Sequence, residues 1–435
     1  MAAVRTEVAG SIWKVEVTVG QRVAAGDALV IVESMKMEIP VEAPAAGTVA
    51  EVRVAEGERI AEVSRRPLKA DVEGVVTPAF IDAHSHIAMQ RAGEPGEEIN
   101  DQLGQLQPCC DPLNSLYMDD QALREAVDFG VLYSCIVPGS GNLIGGKARI
   151  IRNFAGNVAD ALFRDYGYKM ALGYNPRSTT AWKGDRPTTR MGLLAMLENY
   201  FDGILDKHRK AMLEYARKDA EVVRKEAKKE LDAAGAGFER DCMKIALDTA
   251  LSTEEKEVLE LLSGRKTCKI HAHKEDDLVC LMRLAEKYRL KVTADHTCDV
   301  FRQGIYEDLA ARGIPVVYGP LGGVAWKTEL KHASYENVRL LMRSGVSFGL
   351  MTDHPVRHAM QLRDCLQYFL IQGMSEADAI GLVTRSNAEI LGIDDELGTV
   401  EPGKLASLVV WDRHPLWLGA FPRLVLGEGR ELRKR

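Results

Sequence analysis

The sequence predicts an α/β protein in which a TIM-like (β/α)8 barrel with a small β-domain follows an N-terminal all-β module. Two observations carry this prediction. From Ala70 onward, apolar strand-like runs alternate with amphipathic helical stretches over about 320 residues, which is the pattern of repeated βα units. Before that point, short valine-rich segments break at glycines, as strands joined by tight turns do. A doubly wound open sheet is the alternative for the larger part.

The bulk composition narrows the class of protein. The chain has 435 residues, 46% of them hydrophobic, which is enough for a barrel and a smaller unit. Its net charge of −7 disfavours a nucleic-acid partner. Eight scattered cysteines without a C-x-x-C pair indicate reduced thiols, and no run reaches the ~18 apolar residues of a membrane span. We therefore expect a cytoplasmic homo-oligomer that acts on a small molecule and has no membrane partner.

The N-terminal module is predicted over residues 1–63. Two of its segments, GSIWKVEVTVGQRV and GTVAEVRVAEGERI, share a glycine, an alternating strand and a second glycine turn. This repeat predicts two half-modules that pack together as a flattened β-barrel. Lys36, in VESMKMEIP, falls in the connection between the halves, where a hairpin tip would expose its amine.

The larger barrel is predicted over residues 64–396, and residues 397–435 return to the small β-domain. We interpret seven apolar runs as buried parallel strands: GVVTPAFIDAH, VLYSCIVPGS, YKMALG, CKIHAH, LKVTADH, IPVVYG and VSFGLMTDH. A charged helical insertion is predicted at about 205–260, since opposite charges there recur four residues apart. The segment GSGNLIGGK lacks the pattern of a phosphate-binding loop, so we interpret it as a flexible loop over the barrel mouth.

Side chains able to ligate a metal stand at the ends of several predicted strands. His84 and His86 are two residues apart in one strand, so both imidazoles point to the same side. The remaining candidates each end a strand of their own: Lys169, His271, His296 and Asp353. Because the carboxyl ends of barrel strands meet at one face, the pattern predicts a metal site there. For Lys169 alone, a substrate contact or a structural role is equally open.

These residue types indicate hydrolytic chemistry. Neutral imidazoles with a carboxylate suit zinc, which lowers the pKa of bound water from about 15.7 to about 7. Asp353 is the predicted general base, and His296 is the second catalytic candidate. His273 shares one side of its strand with His271, so metal ligation, substrate contact and a packed position are all open; we predict substrate contact. His354 is expected to pack behind the site.

These motifs resemble the amidohydrolase superfamily, particularly its imidazolonepropionase-related branch. The resemblance covers about residues 70–425 and rests on VVTPAFIDAHSHI, GSGNLIGGKARI, KMALGYNP, TTRMGL, KIHAHKEDD, GLMTDHP and LGTVEPGKLASLVVWD, in this order. It implies a zinc-dependent hydrolase, with one or two ions, of a non-peptide carbon–nitrogen bond in an amide or cyclic amide. It also implies a ligand set: His84, His86 and Asp353 for one metal, His271 and His296 completing the site, and Lys169 as a carboxylated bridge.

The SMKME motif of the N-terminal module resembles the attachment site of biotin-carrier domains, which share the biotinyl/lipoyl fold. The resemblance implies that a biotin ligase attaches biotin to Lys36. The family continues with a glycine turn and a closing strand, whereas this chain continues with SRRPLKADVEG, so its module lacks or borrows the last strand. Two alternatives to the amide hydrolase stay open: a biotin-carrying protein that partners a carboxylase, and a metal-dependent dipeptidase.

Overall fold

A computed structural model describes residues 11–34, 37–50, 52, 72–90, 98–178, 185–322 and 327–435. Lys36 and the connection between the N-terminal strands and the barrel lie outside these residues. The predicted exposure of Lys36 and the predicted fate of the closing strand therefore stay predictions.

The N-terminal strands form two small antiparallel sheets. The strands are β1 Ser11–Val15, β2 Arg22–Val23, β3 Ala28–Ser34, β4 Met37–Glu42 and β5 Gly47–Thr48. Strand β3 lies between β1 and β4, while β2 pairs with β5. Gly20 and Gly26 have φ of +90° and +88°, a backbone conformation that favours glycine, and their amides donate to Val49 and Ala43. The two half-repeats are thus hydrogen-bonded to each other, and the predicted all-β character is confirmed.

Strand β6, Val75–Pro78, leads into the eight strands of the barrel sheet. These are β7 Phe80–Ser85, β8 Val131–Ile136, β9 Ile144–Arg152, β10 Leu162–Ala171, β11 Thr267–Ala272, β12 Lys291–His296, β13 Val316–Tyr318 and β14 Phe348–Leu350. Each of these strands pairs with the next one along the chain, from β7 to β14. The interior and the strand–helix layer form one apolar core. The predicted barrel is confirmed, and the open-sheet alternative is wrong.

Twelve α-helices lie within the described part of the chain. They are α1 Gln121–Asp128, α2 Val158–Ala161, α3 Asn175–Ser178, α4 Arg190–Ala227, α5 Ala233–Thr249, α6 Thr253–Leu262, α7 Glu275–Tyr288, α8 Gln303–Ala311, α9 Val338–Arg343, α10 Gln367–Ile371, α11 Glu376–Leu382 and α12 Arg385–Leu391. None of these helices is long and apolar enough to cross a membrane.

One barrel strand runs against the others, which corrects two of our expectations. The segment GSGNLIGGK, interpreted above as a mobile loop, instead leads into and forms the first half of β9. Strand β9 pairs antiparallel with both β8 and β10, so the barrel is not wholly parallel. The strand was interpreted as a loop because its first half is rich in glycine. Gly146 has a φ of +135°, and a Cβ there would lie 2.3 Å from the Cys110 carbonyl oxygen, so the close packing of this strand requires glycine.

Helices α4, α5 and α6 occupy the region in which a charged insertion was predicted. Helix α4 begins at Arg190, earlier than the charge pattern indicated, because its first turns are apolar and bury Leu193, Leu197 and Phe201. Farther along, α4 packs on α5 around a separate small cluster of Val222, Ala236 and Met243. The far part of this helical pair therefore has an apolar contact of its own.

The last strands leave the barrel and pair with the strand that precedes it. They are β15 Leu408–Trp411, β16 Pro422–Gly427 and β17 Arg430–Lys434, in a four-stranded sheet of order β17-β16-β15-β6. Trp411 is fully buried, and its indole nitrogen donates to the Thr77 hydroxyl at 2.9 Å. Its ring also packs on Phe80. This sheet therefore fixes the chain just before the first barrel strand.

Asn387, on α12, joins the first and last strands of the barrel. Its amide donates to the carbonyls of Ile81, at 2.6 Å, and Leu350, at 2.8 Å, and its oxygen accepts from the Leu350 amide at 3.0 Å. Gly349 makes this approach possible, since a Cβ there would lie 1.9 Å from the Asn387 oxygen. Nearby, Asp82 accepts a hydrogen bond from the Thr352 amide at 3.0 Å. Buried side chains thus connect the two strands at which the barrel closes.

We predict that Asn387→Ala lowers the free energy of unfolding by about 3 kcal/mol, since it removes three buried hydrogen bonds worth ~1 kcal/mol each and leaves their partners unpaired. Urea unfolding followed by circular dichroism measures the change. Glu389→Ala is the matched control on an exposed turn of the same helix, and it should shift stability by less than about 0.5 kcal/mol. Equal effects of the two variants would contradict the role of Asn387.

Candidate metal centre

All the residues predicted to bind metal, act in catalysis or contact substrate lie at the carboxyl ends of barrel strands. His84 and His271 lie inside β7 and β11, His86 and His273 follow those strands directly, and His296 is the last residue of β12. Lys169 lies near the end of β10, and Asp353 follows β14. Their side chains form two adjacent groups that could each hold a cation: His84, His86 and Asp353, and His271, His273 and His296.

The first group joins the two strands at which the barrel closes. His84 Nε2 and His86 Nε2 lie 3.6 Å and 3.2 Å from Asp353 Oδ1. Backbone hydrogen bonds set this arrangement, since the Asp353 amide donates to the His84 carbonyl and the His86 amide donates to the His354 carbonyl, both at 3.1 Å. The residues that close the barrel therefore also bring three potential ligands together.

The second group contains buried imidazole nitrogens without a hydrogen-bond partner. His271, His273 and His296 are each at most 4% exposed. The unpaired atoms are His271 Nδ1, His273 Nδ1 and His296 Nε2. A buried polar atom without a partner is unfavourable, so a cluster of three such atoms fits a site that receives a ligand. Donor chemistry and geometry thus both fit divalent metal binding.

Lys169 lies beside the first group. Its Nζ is fully buried and lies 3.0 Å from His84 Nε2. Burial lowers the pKa of Lys169 to about 8, although the charges of Asp295 and Asp353 act in the opposite direction. A sizeable fraction of this amine is therefore neutral near pH 8, which is the form that reacts with carbon dioxide to give a carbamate.

A partner on the second ring nitrogen orients several of the imidazoles. His84 Nδ1 lies 2.6 Å from Asp295 Oδ2, His86 Nδ1 lies 2.8 Å from the Val137 carbonyl, and His296 Nδ1 lies 3.1 Å from the Gly319 carbonyl. If each Nδ1 carries the proton, the opposite nitrogen keeps its lone pair. Such partners fix the tautomer and the ring orientation of metal-ligating histidines.

Burial keeps the imidazoles neutral. Desolvation, followed by the charge of Lys169, lowers the pKa of His84 to about 3. Desolvation likewise lowers the pKa of His273 to about 3 and places those of His271 and His296 well below the ordinary value. These four rings are therefore uncharged at neutral pH, which is the state that metal ligation requires.

Asp353 is held ionised. Burial alone would raise its pKa, but the hydrogen bond with His86 and the charges of His86, His84 and Lys169 lower it to about 2. Asp353 and His296 also have φ of +52° and +81°, in the left-handed region that residues with a side chain rarely adopt. Strained backbone of this kind concentrates at functional sites. The carboxylate is thus an anion beside the imidazoles of His84 and His86.

The sequence analysis missed three residues that support the site. Asp295 and Glu329 are buried carboxylates, and Asn175 hydrogen-bonds to Ser140 at 2.6 Å and lies 3.3 Å from His271 Nε2. An acidic residue inside the apolar run LKVTADH was a usable signal for Asp295. Glu329 comes from a short 3-10 turn after β13, where no periodic pattern marks it.

His354 is buried, and its Nδ1 accepts a hydrogen bond from the Ala359 amide at 3.2 Å. The backbone carbonyl of His354, rather than its ring, accepts a hydrogen bond from the His86 amide just after β7. The expectation that His354 packs behind the site agrees with this position.

A barrel with imidazoles, a carboxylate and a lysine gathered at its strand ends has side chains that could hold a metal ion. Residues 210–426 match the Amidohydrolase family, and residues 1–64 match the family described as "Biotin-requiring enzyme". The chain therefore contains an amidohydrolase-family domain and, before it, an N-terminal biotin/lipoyl domain.

Three relatives illustrate the two parts. Amidohydrolase tasK of Hapsidospora irregularis is 25% identical over 393 residues, which cover 85% of this chain and 37% of that protein. This chain thus spans well under half the length of tasK. An amidohydrolase structure from Thermotoga maritima MSB8 is 28% identical with a TM-score of 0.75, and the match covers 88% of this chain and 94% of that one. The Biotin/lipoyl attachment protein of Bacillus subtilis (strain 168) is 44% identical over 59 residues, 14% of this chain and 81% of that protein.

We predict that Asp295→Asn weakens zinc binding about 10- to 100-fold, because His84 loses the carboxylate that orients it. A competing chelator measures the zinc dissociation constant. Lys269 Nζ lies 3.0 Å from Asp295 Oδ2. The substitution therefore also deprives the buried Lys269 of its charged partner.

The double variant Asp295→Asn/Lys269→Met removes that unpaired charge and should recover thermal stability while zinc affinity stays low. Lys269→Met alone is the control, since it keeps the pair of Asp295 and His84. Unchanged zinc affinity in both Asp295 variants would refute the orienting role.

Proposed function

We propose that the chain is a zinc-dependent hydrolase of a non-peptide carbon–nitrogen bond, in an amide or cyclic amide of small size. The observation that carries the proposal is the convergence of two groups of potential ligands, with Lys169 beside the first of them, at the mouth of an amidohydrolase-family barrel. The motifs quoted above favour the imidazolonepropionase-related branch of the family.

The residues fit one or two divalent ions. His84, His86 and Asp353 would hold the first ion, and His271 and His296 the second, with Lys169 as a carbamate shared between them. Ions bound there would supply Lewis acidity toward the scissile carbonyl and a water of lowered pKa. A neutral Lys169 amine favours the carbamate, as its lowered pKa of about 8 indicates.

The other steps fall to side chains of the chain itself. Asp353 is ionised and stands at the edge of the cluster with 15% of its side chain exposed, so it can accept a proton from the attacking water and return it to the leaving nitrogen. His296 lies within 4.0 Å of Asp353 and is the second candidate for that role. His273 lines the adjoining cavity, and we assign it to substrate contact.

We propose further that Lys36 is a biotin attachment site for a biotin ligase. The sequence SMKME and the similarity of residues 1–64 to biotin/lipoyl domains support this assignment. The barrel already supplies ligands, a base and a substrate contact, so we expect hydrolysis to proceed without the modification.

We predict that protein purified without chelators contains one or two equivalents of a divalent metal, zinc first among them, and releases product from a panel of amides and lactams. Elemental analysis measures the metal content, and chromatography measures the products that are released. Chelation should abolish turnover, and added zinc should restore it. A metal-free preparation that keeps full activity would contradict the proposal.

Asp353→Asn should lower turnover by about 10² to 10⁴, because it removes the proton acceptor while keeping the size of the side chain. Metal content is measured beside turnover, since Asp353 is also a proposed ligand. Loss of turnover with metal retained assigns the general base to Asp353, whereas unchanged turnover would move that role to His296.

We predict that co-expression with a biotin ligase adds one biotin mass at Lys36, and that Lys36→Arg stays unmodified. Intact-mass and peptide mass spectrometry detect the modification. The kcat of the Lys36→Arg enzyme should equal that of the parent. An unmodified parent chain would contradict the attachment site, and a Lys36→Arg enzyme without turnover would show that the two parts act together.

A further inference from the structure

Two imidazoles of the proposed metal centre lack the partner on Nδ1 that the others have. In His84, His86 and His296, an oxygen lies close to Nδ1 and orients the ring. In His271 and His273, Nδ1 is buried and has no hydrogen-bond partner. A group that orients these two rings therefore has to lie on their other side, at Nε2.

The carboxylate of Glu329 lies on the Nε2 side of both rings. Its Oε1 is 3.9 Å from His271 Nε2 and 4.0 Å from His273 Nε2. Glu329 is 2% exposed, and Oε1 is a buried atom without a hydrogen-bond partner. A buried acceptor without a donor is unfavourable, whereas two rings protonated at Nε2 would each supply a donor. Both separations exceed a hydrogen bond, but contacts of this kind tighten when an active site is filled.

Other contacts hold this carboxylate in place. Its Oε2 accepts a hydrogen bond from the Tyr174 amide at 2.9 Å. Gly173, with a φ of +84°, permits this approach, since a Cβ there would lie 3.1 Å from the same oxygen. Lys327 Nζ lies 3.9 Å from Oε1 and gives the buried carboxylate a cationic neighbour. Oε1 is thus the oxygen that faces the imidazoles, beside Lys327.

The neighbouring amide of Asn175 is compatible with a proton on His271 Nε2. Its Nδ2 lies 3.3 Å from that nitrogen and 2.6 Å from Ser140 Oγ. A half-turn of the amide puts its oxygen in this place, where it can accept from both the ring N–H and the Ser140 hydroxyl. Glu329 and Asn175 then both accept at His271, and Glu329 accepts at His273.

We propose that Glu329 is the positioning residue of the second group. Its Oε1 accepts from Nε2–H of His271 and His273, so that each Nδ1 keeps a lone pair for an ion or for a substrate donor. Glu329 does for these rings what Asp295 does for His84, but at the opposite ring nitrogen. This inference rests on the metal binding of the proposed function and adds a residue to it.

The direct test is the position of the ring protons. Two-bond 1H–15N correlation spectra of the zinc-loaded full chain, labelled with 15N-histidine, distinguish a proton on Nε2 from one on Nδ1. His271→Asn and His273→Asn assign the two signals. We expect both rings of the parent to carry the proton on Nε2. Nδ1 protons on both rings would overturn the inference, whether or not any variant folds.

Glu329→Gln should reverse these tautomers. The variant keeps the size of the side chain but has one acceptor oxygen instead of two. If that oxygen stays with the Tyr174 amide, an NH2 group faces the imidazoles and disfavours a proton on Nε2. We therefore expect the proton of His273, and with it that of His271, to move to Nδ1. Tautomers that stay unchanged in this variant would contradict the role of Glu329.

Zinc affinity is the second measurement. Glu329→Gln should weaken binding of the second zinc equivalent about 10- to 100-fold and leave the first unchanged, whereas Asp295→Asn should weaken the first. A competing chelator measures both equivalents. Equal affinity of the parent and Glu329→Gln for the second equivalent would overturn the inference.

Glu275→Gln is the matched control for the loss of a buried carboxylate. Glu275 is 4% exposed and accepts hydrogen bonds from the amides of Phe301 and Arg302, at 3.1 Å and 2.8 Å. This variant should lower thermal stability without changing the tautomers or the zinc affinity. A change of tautomer in Glu275→Gln equal to that in Glu329→Gln would show a general structural effect and refute positioning by Glu329.

The two proposals fail in different ways. A chain that takes up no divalent metal would contradict the proposed metal-dependent hydrolase, while the ring protons of the parent would still test the contact with Glu329. Two bound zinc ions with tautomers that do not depend on Glu329 would overturn the positioning role and leave the hydrolase standing.

Discussion

Closure of the barrel between its first and last strands is the constraint on which the rest of the structure depends. Strands β7 and β14 have no regular ladder of their own, and Asn387 and the Asp82–Thr352 contact connect them. Beyond β14, backbone bonds continue the connection, and the same bonds place His84 and His86 against Asp353. A single junction thus stabilises the fold and assembles half of the proposed metal centre. A fault in closure would therefore disturb the site as well as the fold.

The electrostatics of the barrel interior follow from burying many polar groups together. Lys169, Lys269 and Asp295 are fully buried, and Asp295 lies close to Lys269 and to His84. Desolvation drives the imidazoles toward neutrality, while the surrounding cations keep the pKa of Asp295 at about 2. Removing one partner of such a set leaves an uncompensated buried charge, which is strongly unfavourable. Each of these groups therefore depends on its partners for the charge state that it has in the fold.

Much of the site could be predicted because strand ends carry a strong signal. His84, His86, His271, His296 and Asp353 each follow an apolar run, and barrel geometry alone brings such residues to one face. Strand β9 could not be predicted, because its glycines resemble those of a loop. Its antiparallel direction could not be predicted either, because amino-acid composition does not encode the direction of a strand. Contacts such as Glu329 beside His271 and His273 arise from a loop whose path no periodicity encodes.

The reversed strand β9 changes what the mouth of the barrel can become. A parallel strand in this place would need a crossover helix and a long loop at the catalytic end, whereas β8 and β9 are joined by the seven-residue hairpin 137–143. Asn142 and Gly141 in this hairpin hydrogen-bond to the segment 100–104. The β8–β9 side of the barrel mouth is therefore short and held in place by hydrogen bonds. Variation at the mouth could enter this scaffold mainly through the connections that follow β13 and β14, whose described residues line the adjoining cavity.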